Sequence, residues 1–287
     1  MKTSTALILT CIAMLAFAAN SVLCRLALGA AAIDAASFTA IRLSSGAAVL
    51  VLVAAGRRRE IISGQRGSWR SAIMLFLYAA AFSFAYRNLS AGTGALILFA
   101  SVQLTMLLFA IFSGERPGAA EWFGLALAFG GLVYLVSPGL SAPPALNAGL
   151  MAIAGVAWGV YSLRGRGASD ALGVTAGNFL RTVPFALVVA FAMLEAEHIT
   201  QRGVLLAILS GALTSGIGYA IWYAALRSLT ATRAALVQLS VPVIAALGGV
   251  SLLQENVTVR LVIASLLVLS GIALAVSTRP LKHKSTK

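Results

Sequence analysis

Acidic residues are among the scarcest groups in this chain. Only eight of 287 residues are Asp or Glu, and none falls in the interior of an apolar run. Paired carboxylates for acid–base work, or a carboxylate relay through a hydrophobic interior, are therefore missing. Histidine is scarcer still: His198 and His283 stand far apart in polar sequence. The two cysteines, Cys11 and Cys24, share the first apolar run at a spacing that suits neither a disulfide framework nor a metal site. No Walker-type phosphate loop occurs, which argues against ATP-driven work within this chain. No metal or cofactor is expected, and an enzyme is the least favoured class.

Charge of any kind is thin. Charged residues make up 10% of the chain and hydrophobic residues 60%, against roughly 25% charge in soluble domains, and mean hydropathy is +0.96. The apolar residues come as runs near the ~20 residues that cross a bilayer. Ten runs are legible, at 5–26, 36–55, 70–87, 92–113, 119–137, 146–163, 172–194, 203–225, 231–252 and 257–277. Their connections leave no room for a soluble domain, so the expected fold class is all-α integral membrane.

A net charge of +13 would suggest nucleic acid in a soluble protein, but here the basic residues sort by loop. With ten alternating spans, one side holds Lys2, Arg57, Arg58, Arg59, Arg66, Arg70, Arg116, Arg164, Arg166, Arg227, Arg233 and the tail residues Arg279, Lys282, Lys284 and Lys287. The other side keeps Arg87, Arg202, Arg260 and Arg25. That asymmetry predicts a multi-pass protein of the cell inner membrane with both termini cytoplasmic. Its partners are then the lipid bilayer and a small molecule, not nucleic acid. Lys2, an apolar stretch and AFAANS resemble a signal peptide, but removing them would leave nine spans and reverse the fit of every basic loop.

Residues 85–137 match 225–277 without a gap: Arg87 lies over Arg227, Leu89 over Leu229, Ala95 over Ala235, Glu115 over Glu255 and Gly131 over Gly271. Upstream, AFAANSVLCR (16–25) matches AWGVYSLRGR (157–166), and Arg42 pairs with Arg181. A shift of 140 residues covers five runs. Five is odd, so the second copy enters the membrane in the opposite direction, the inverted-repeat arrangement of secondary transporters with a site near the midplane. These features resemble the drug/metabolite transporter superfamily, EamA-like. The motifs are AWG (157–159), Arg42 and Arg181, VPV (241–243), SGER (113–116) and LQE (253–255). The first copy departs from the pattern at Phe17-Ala18 and at Val102-Gln103. The resemblance implies ten helices as two inverted five-helix repeats, at 1–138 and 146–278, with a basic cytoplasmic tail at 279–287.

A charged group at mid-span costs roughly 2.5–3.5 kcal/mol on insertion scales and by default suggests function. Arg42 and Arg181 are the leading candidates, with Asn178 one turn before the latter. Each arginine either lines a cavity and holds a carboxylate, or snorkels and anchors a helix through carbonyls. Asn20, Gln103 and Gln238 are amides that need partners at lipid depth, as interhelical bonds or as a polar midplane. Tyr219, Trp222 and Tyr223 share a helix face by their spacing, and Trp158 and Tyr161 lie one turn apart. Packing and interface belts explain most such aromatics; the depth of Trp158 favours a cavity wall. Glu115 and Glu255 end the fourth helices of the two repeats, either as gate or coupling groups or as loop-end charges. Pro242 is expected to kink the ninth span. Gly124, Gly130, Gly131, Gly271, Gly211, Gly216 and Gly218 are expected to permit close helix approach. That approach lies within one chain or between two, so a homodimer stays open.

The resemblance implies a secondary transporter of a small organic metabolite, an exporter of amino acids or related compounds working by alternating access. A metabolite or vitamin importer of the same fold, and a non-transporting scaffold or sensor, are the alternatives. Without an acidic residue in the interior of a span, a carboxylate relay is weakened, and facilitated or exchange transport stays open.

Overall fold

The computed structural model describes residues 3–56, 67–112, 114, 118–139, 142–165, 170–193, 199–226, 229 and 237–277. The basic run Arg57–Arg59 and the tail 279–287 lie outside the described residues. Helices are the only regular elements among the described residues. They are α1 (Thr3–Leu28), α2 (Ala35–Gly56), α3 (Trp69–Ala85), α4 (Ala91–Phe112), α5 (Ala119–Val136), α6 (Ala145–Gly165) and α7 (Ala171–Ala192). A composite α8 follows, then α9 (Ser240–Leu253) and α10 (Val259–Ser277). α8 is α-helical over Gln201–Ile208, π-helical over Leu209–Ile217 and α-helical again over Gly218–Leu226.

Seven of these helices are long and apolar enough to cross a membrane; α3, α9 and α10 are apolar but shorter. An all-helical solution is what lipid imposes, since each helix closes its own backbone hydrogen bonds. The few described acidic residues sit mainly at helix starts, where carboxylates satisfy free N–H groups. Asp34 Oδ1 accepts from Ser37 N at 2.8 Å, Asp170 Oδ1 from Gly173 N at 3.2 Å and Glu121 Oε2 from Gly118 N at 2.8 Å. Ser68 and Thr200 do the same work for α3 and α8.

The ninth apolar run, expected at 231–252, is broken once: residues 237–238 are helical, Leu239 is a turn three residues before Pro242, and α9 follows from Ser240, while residues 230–236 lie outside the described residues. Pro242 therefore stands in the first turn of a helix, where its missing N–H has no intrahelical acceptor to lose. A proline inside a helix occurs instead at Pro184 of α7.

The two halves of the chain interleave. α2 rests on α7 and α8, α4 on α6 and α9, α1 on α8 and α9, and α5 on α10. The α5–α10 seam is close because both partners are glycine: a Cβ at Gly271 would stand 2.6 Å from the Gly124 carbonyl oxygen. Gly130, one of the expected packing glycines, faces open space. Large apolar side chains such as Leu7, Phe112, Phe191 and Leu252 point outward, while buried polar groups gather inside. That polarity suits a body surrounded by lipid.

Candidate functional site

The polar groups collect around a cavity in the middle of the bundle. Its empty space is about 340 Å³, counting the open mouth. The walls are Phe17, Asn20 and Ser21 of α1, Tyr78 and Phe82 of α3, Leu98 and Phe99 of α4, Trp158 of α6, and Thr214 and Tyr219 of α8. Both halves of the chain contribute. Phe17 and Trp158 occupy the same place in the matched stretches 16–25 and 157–166, and both line the space.

The walls are mostly rings in edge and tilted contact. Trp158 lies 4.9 Å from Tyr78 and 4.8 Å from Tyr219 between centroids, and stacks on Tyr161 at 5.5 Å. Phe17 meets Tyr219 and Trp222 edge-on, each at 5.8 Å. Such offset arrangements are favoured by the ring quadrupoles and keep the wall stiff.

The π-helical segment supplies the polar side. Ser210 Oγ and Thr214 Oγ1 donate to Asn20 Oδ1, at 2.7 and 3.1 Å. π-turns are rare and concentrate at functional sites. Here the wider turn sets Ser210 and Thr214 on α1 and Ser215 on α2. Close approach of α8 to α2 needs glycine at 211, since a Cβ there would collide with the Arg42 carbonyl and Ser45 Oγ.

Arg42 stands behind two of the walls. It is 1% exposed. Nη2 donates to the Tyr78 hydroxyl at 3.0 Å and Nε to Ser215 Oγ at 3.3 Å. The guanidinium carbon is 4.9 Å from the Phe82 ring centroid and 5.3 Å from that of Tyr78, within cation–π range. Nη1 has no hydrogen-bond partner. Gln103, 2% exposed, leaves Nε2 equally unpartnered.

The other expected residues are spread over three places. Tyr161 and Trp222 back the cavity walls. Asn178 and Arg181 lie where α7 meets the start of α3. Asn178 Oδ1 accepts from Ser68 N at 2.9 Å and its Nδ2 donates to the Tyr161 hydroxyl at 3.4 Å. Arg181 donates to the Gly177 carbonyl at 2.9 Å and stands over the Trp69 ring at 5.7 Å. Gln238 is half-buried and helical, one residue before the turn that leads into α9. Glu115 and the side chain of Tyr223 lie outside the described residues.

Glu255 stands at the opposite end of the bundle from Trp69. Arg25 Nε pairs with its Oε1 at 3.0 Å, and its Oε2 accepts from Ala91 N, at the start of α4, at 2.8 Å. Arg25 Nη1 also donates to the Tyr86 and Arg87 carbonyls. One carboxylate thus ties α1, the α3–α4 turn and the end of α9 together. At the same end Asn147 Nδ2 bonds the Phe84 and Ala85 carbonyls, each at 3.2 Å.

Sequence reasoning missed Tyr78, Phe82, Ser210, Thr214 and Ser215. The i, i+4 spacings of Tyr78 with Phe82 and of Ser210 with Thr214 were the available signals.

The model of the EamA-like transporter family matches residues 4–137 and 146–277. A Pseudomonas aeruginosa protein described as uncharacterized is 54% identical over 273 residues, covering 95% of either chain. An uncharacterized transporter of Archaeoglobus fulgidus is 27% identical over 76% of this chain and 83% of its own. The uncharacterized transporter YoaV of Bacillus subtilis is 21% identical over 82% and 85%. A crystal structure of a protein 22% identical shares the fold, with a TM-score of 0.69 over 96% of this chain and 98% of that one.

Proposed function

The chain belongs to the EamA-like transporter family, a multi-pass membrane transporter, and from that premise we propose that it exports a small organic metabolite by alternating access. An amino acid or a related compound is the favoured cargo. The observation that carries this reading is the ring-walled cavity at mid-bundle, lined by side chains from both halves. A site placed between repeats is reached from one face and then the other as the halves rock.

In this reading all ten helices cross the inner membrane and both termini are cytoplasmic. Residues 1–138 and 146–278 form the two inverted repeats, and 279–287 the basic tail. The end of the bundle bearing Glu255 then faces away from the cytoplasm. The Arg25–Glu255 pair, with Ala91 N and the Arg87 carbonyl, acts as an outer gate that holds the halves together while cargo enters from inside. Opening replaces those contacts with water, which is cheap at a partly exposed pair. The absence of a carboxylate among the described residues of the cavity wall favours facilitated or exchange transport.

Proteoliposomes loaded with labelled amino acids and related metabolites test the reading. Protein-dependent flux is expected for at least one compound, and Trp158→Ala or Tyr219→Ala should lower its rate at least tenfold. Flux that is absent for every compound, or indifferent to both substitutions, would count against it.

A further inference from the structure

Arg42 carries a permanent charge with no counter-ion among the described residues. The described carboxylates are accounted for elsewhere: Asp34, Asp170 and Glu121 at helix starts, Glu255 on Arg25. Glu60, Glu115, Glu195 and Glu197, the remaining four of the eight, lie outside the described residues and between the apolar runs. Arg25 and Glu255 form an ion pair with each other, away from Arg42. The partners Arg42 does have are neutral: a hydroxyl on Tyr78, another on Ser215, and the faces of two rings. A buried guanidinium so placed leaves the cavity net positive.

The hydrogen-bond direction extends that charge into the cavity. The Tyr78 oxygen accepts from Arg42 Nη2 and its hydroxyl also meets that of Tyr219, so one of the two phenolic protons stays free to be donated to a ligand. Tyr78 is a cavity wall. A phenol polarised from behind by a cation is a strong donor to an anion. Gln103 stands one turn along α4 from the wall residue Phe99 and has an unpartnered, buried Nε2. Arg42 Nη1 is a second unpartnered donor. Donors are in surplus, while the one wall carbonyl group, Asn20 Oδ1, is already taken by Ser210 and Thr214.

Building on the transporter reading above, we propose that the cavity selects a carboxylate on an apolar or aromatic body, with Arg42 as counter-charge and Tyr78 as donor, and rejects organic cations. Trp158, Phe17 and Tyr219 cover the body; the Tyr78–Arg42 pair orients the head.

Purified native protein in detergent is titrated with phenylacetate and hexanoate, with their amides, and with phenethylamine, following tryptophan fluorescence and the melting temperature. The carboxylates are expected to bind about ten- to a hundredfold more tightly than the amides, the margin of a charge-assisted hydrogen bond, and phenethylamine not at all. Arg42→Gln should erase the preference, Arg42→Lys restore part of it, and Tyr78→Phe reduce it. Equal binding of carboxylate and amide by the native protein, or binding of neither carboxylate at millimolar concentration, overturns the proposal even if Arg42→Gln does not fold. Flux of the same labelled probes across proteoliposomes separates the two readings. Movement of the amide without carboxylate preference defeats the anion site and keeps the transporter. Arg42-dependent carboxylate binding without movement of any probe does the reverse.

Discussion

At the scale of the residue, polar side chains inside this bundle divide by whether their partners are complete. Asn20 Oδ1 accepts from Ser210 Oγ at 2.7 Å, while Thr214 Oγ1 can also turn to the Ser210 carbonyl at 2.8 Å, so Asn20→Leu strands Ser210. That change is expected to cost about 1–3 kcal/mol, read as a lower melting temperature in detergent. Ser210→Ala in the same background should recover part of the loss, by removing a stranded donor. Trp158, Tyr219 and Asn20 were legible because a deep aromatic or amide in an apolar run has few explanations. Tyr78 and Phe82 were not: nothing in α3 sets them apart from rings that merely fill space. Ser210, Thr214 and Ser215 were hidden for another reason. Small hydroxyls bond their own helix carbonyls anywhere in a span, and only the π-turn gives these three outside partners.

At the scale of the element, α8 holds most of the information that periodicity could not supply. The sequence shows one apolar run, 203–225, and its glycines suggest close packing. A π-turn requires tertiary contacts that no local pattern announces. Gly211 lies in that turn against the Arg42 carbonyl and Ser45. Gly211→Ala should therefore force α2 and α8 apart, displace Arg42 and lower the melting temperature sharply. Gly130→Ala, on a face with nothing within 4 Å, should change stability by no more than about 0.5 kcal/mol. Similar melting for the two variants would show that the α2–α8 contact is looser than described. The break at Leu239 has the same origin. Hydropathy sees one run from 231 to 252, but Leu239 is a turn between helical residues 237–238 and α9, and a proline fits a first turn better than an interior. The other nine apolar runs were legible to within a few residues, since length and hydropathy are what a bilayer reads.

At the scale of the whole molecule, the two halves are held together at both ends of the cavity by different chemistry. One end has Ser68–Asn178 and Ser71–Arg164 contacts between neutral or singly charged partners. The other has the Arg25–Glu255 ion pair and the Asn147 amide. The repeat was visible in the sequence as a gapless match, but which end closes depends on distances the match does not contain. Glu255→Gln keeps the shape and removes the charge, so it should favour opening at that end without unfolding the protein.

The most direct test follows a single cysteine at Ser21, a small residue of the cavity wall, in a chain whose Cys11 and Cys24 are replaced by alanine. Its modification by a membrane-impermeant maleimide is measured in right-side-out and inverted vesicles, with Glu255 and with Glu255→Gln. With Glu255, modification is expected from the cytoplasmic face alone; with Glu255→Gln, it should rise at the outer face and fall at the inner one. Modification from both faces at once, or an outer-face rate that Glu255→Gln leaves unchanged, would contradict a single cavity opened alternately to the two sides.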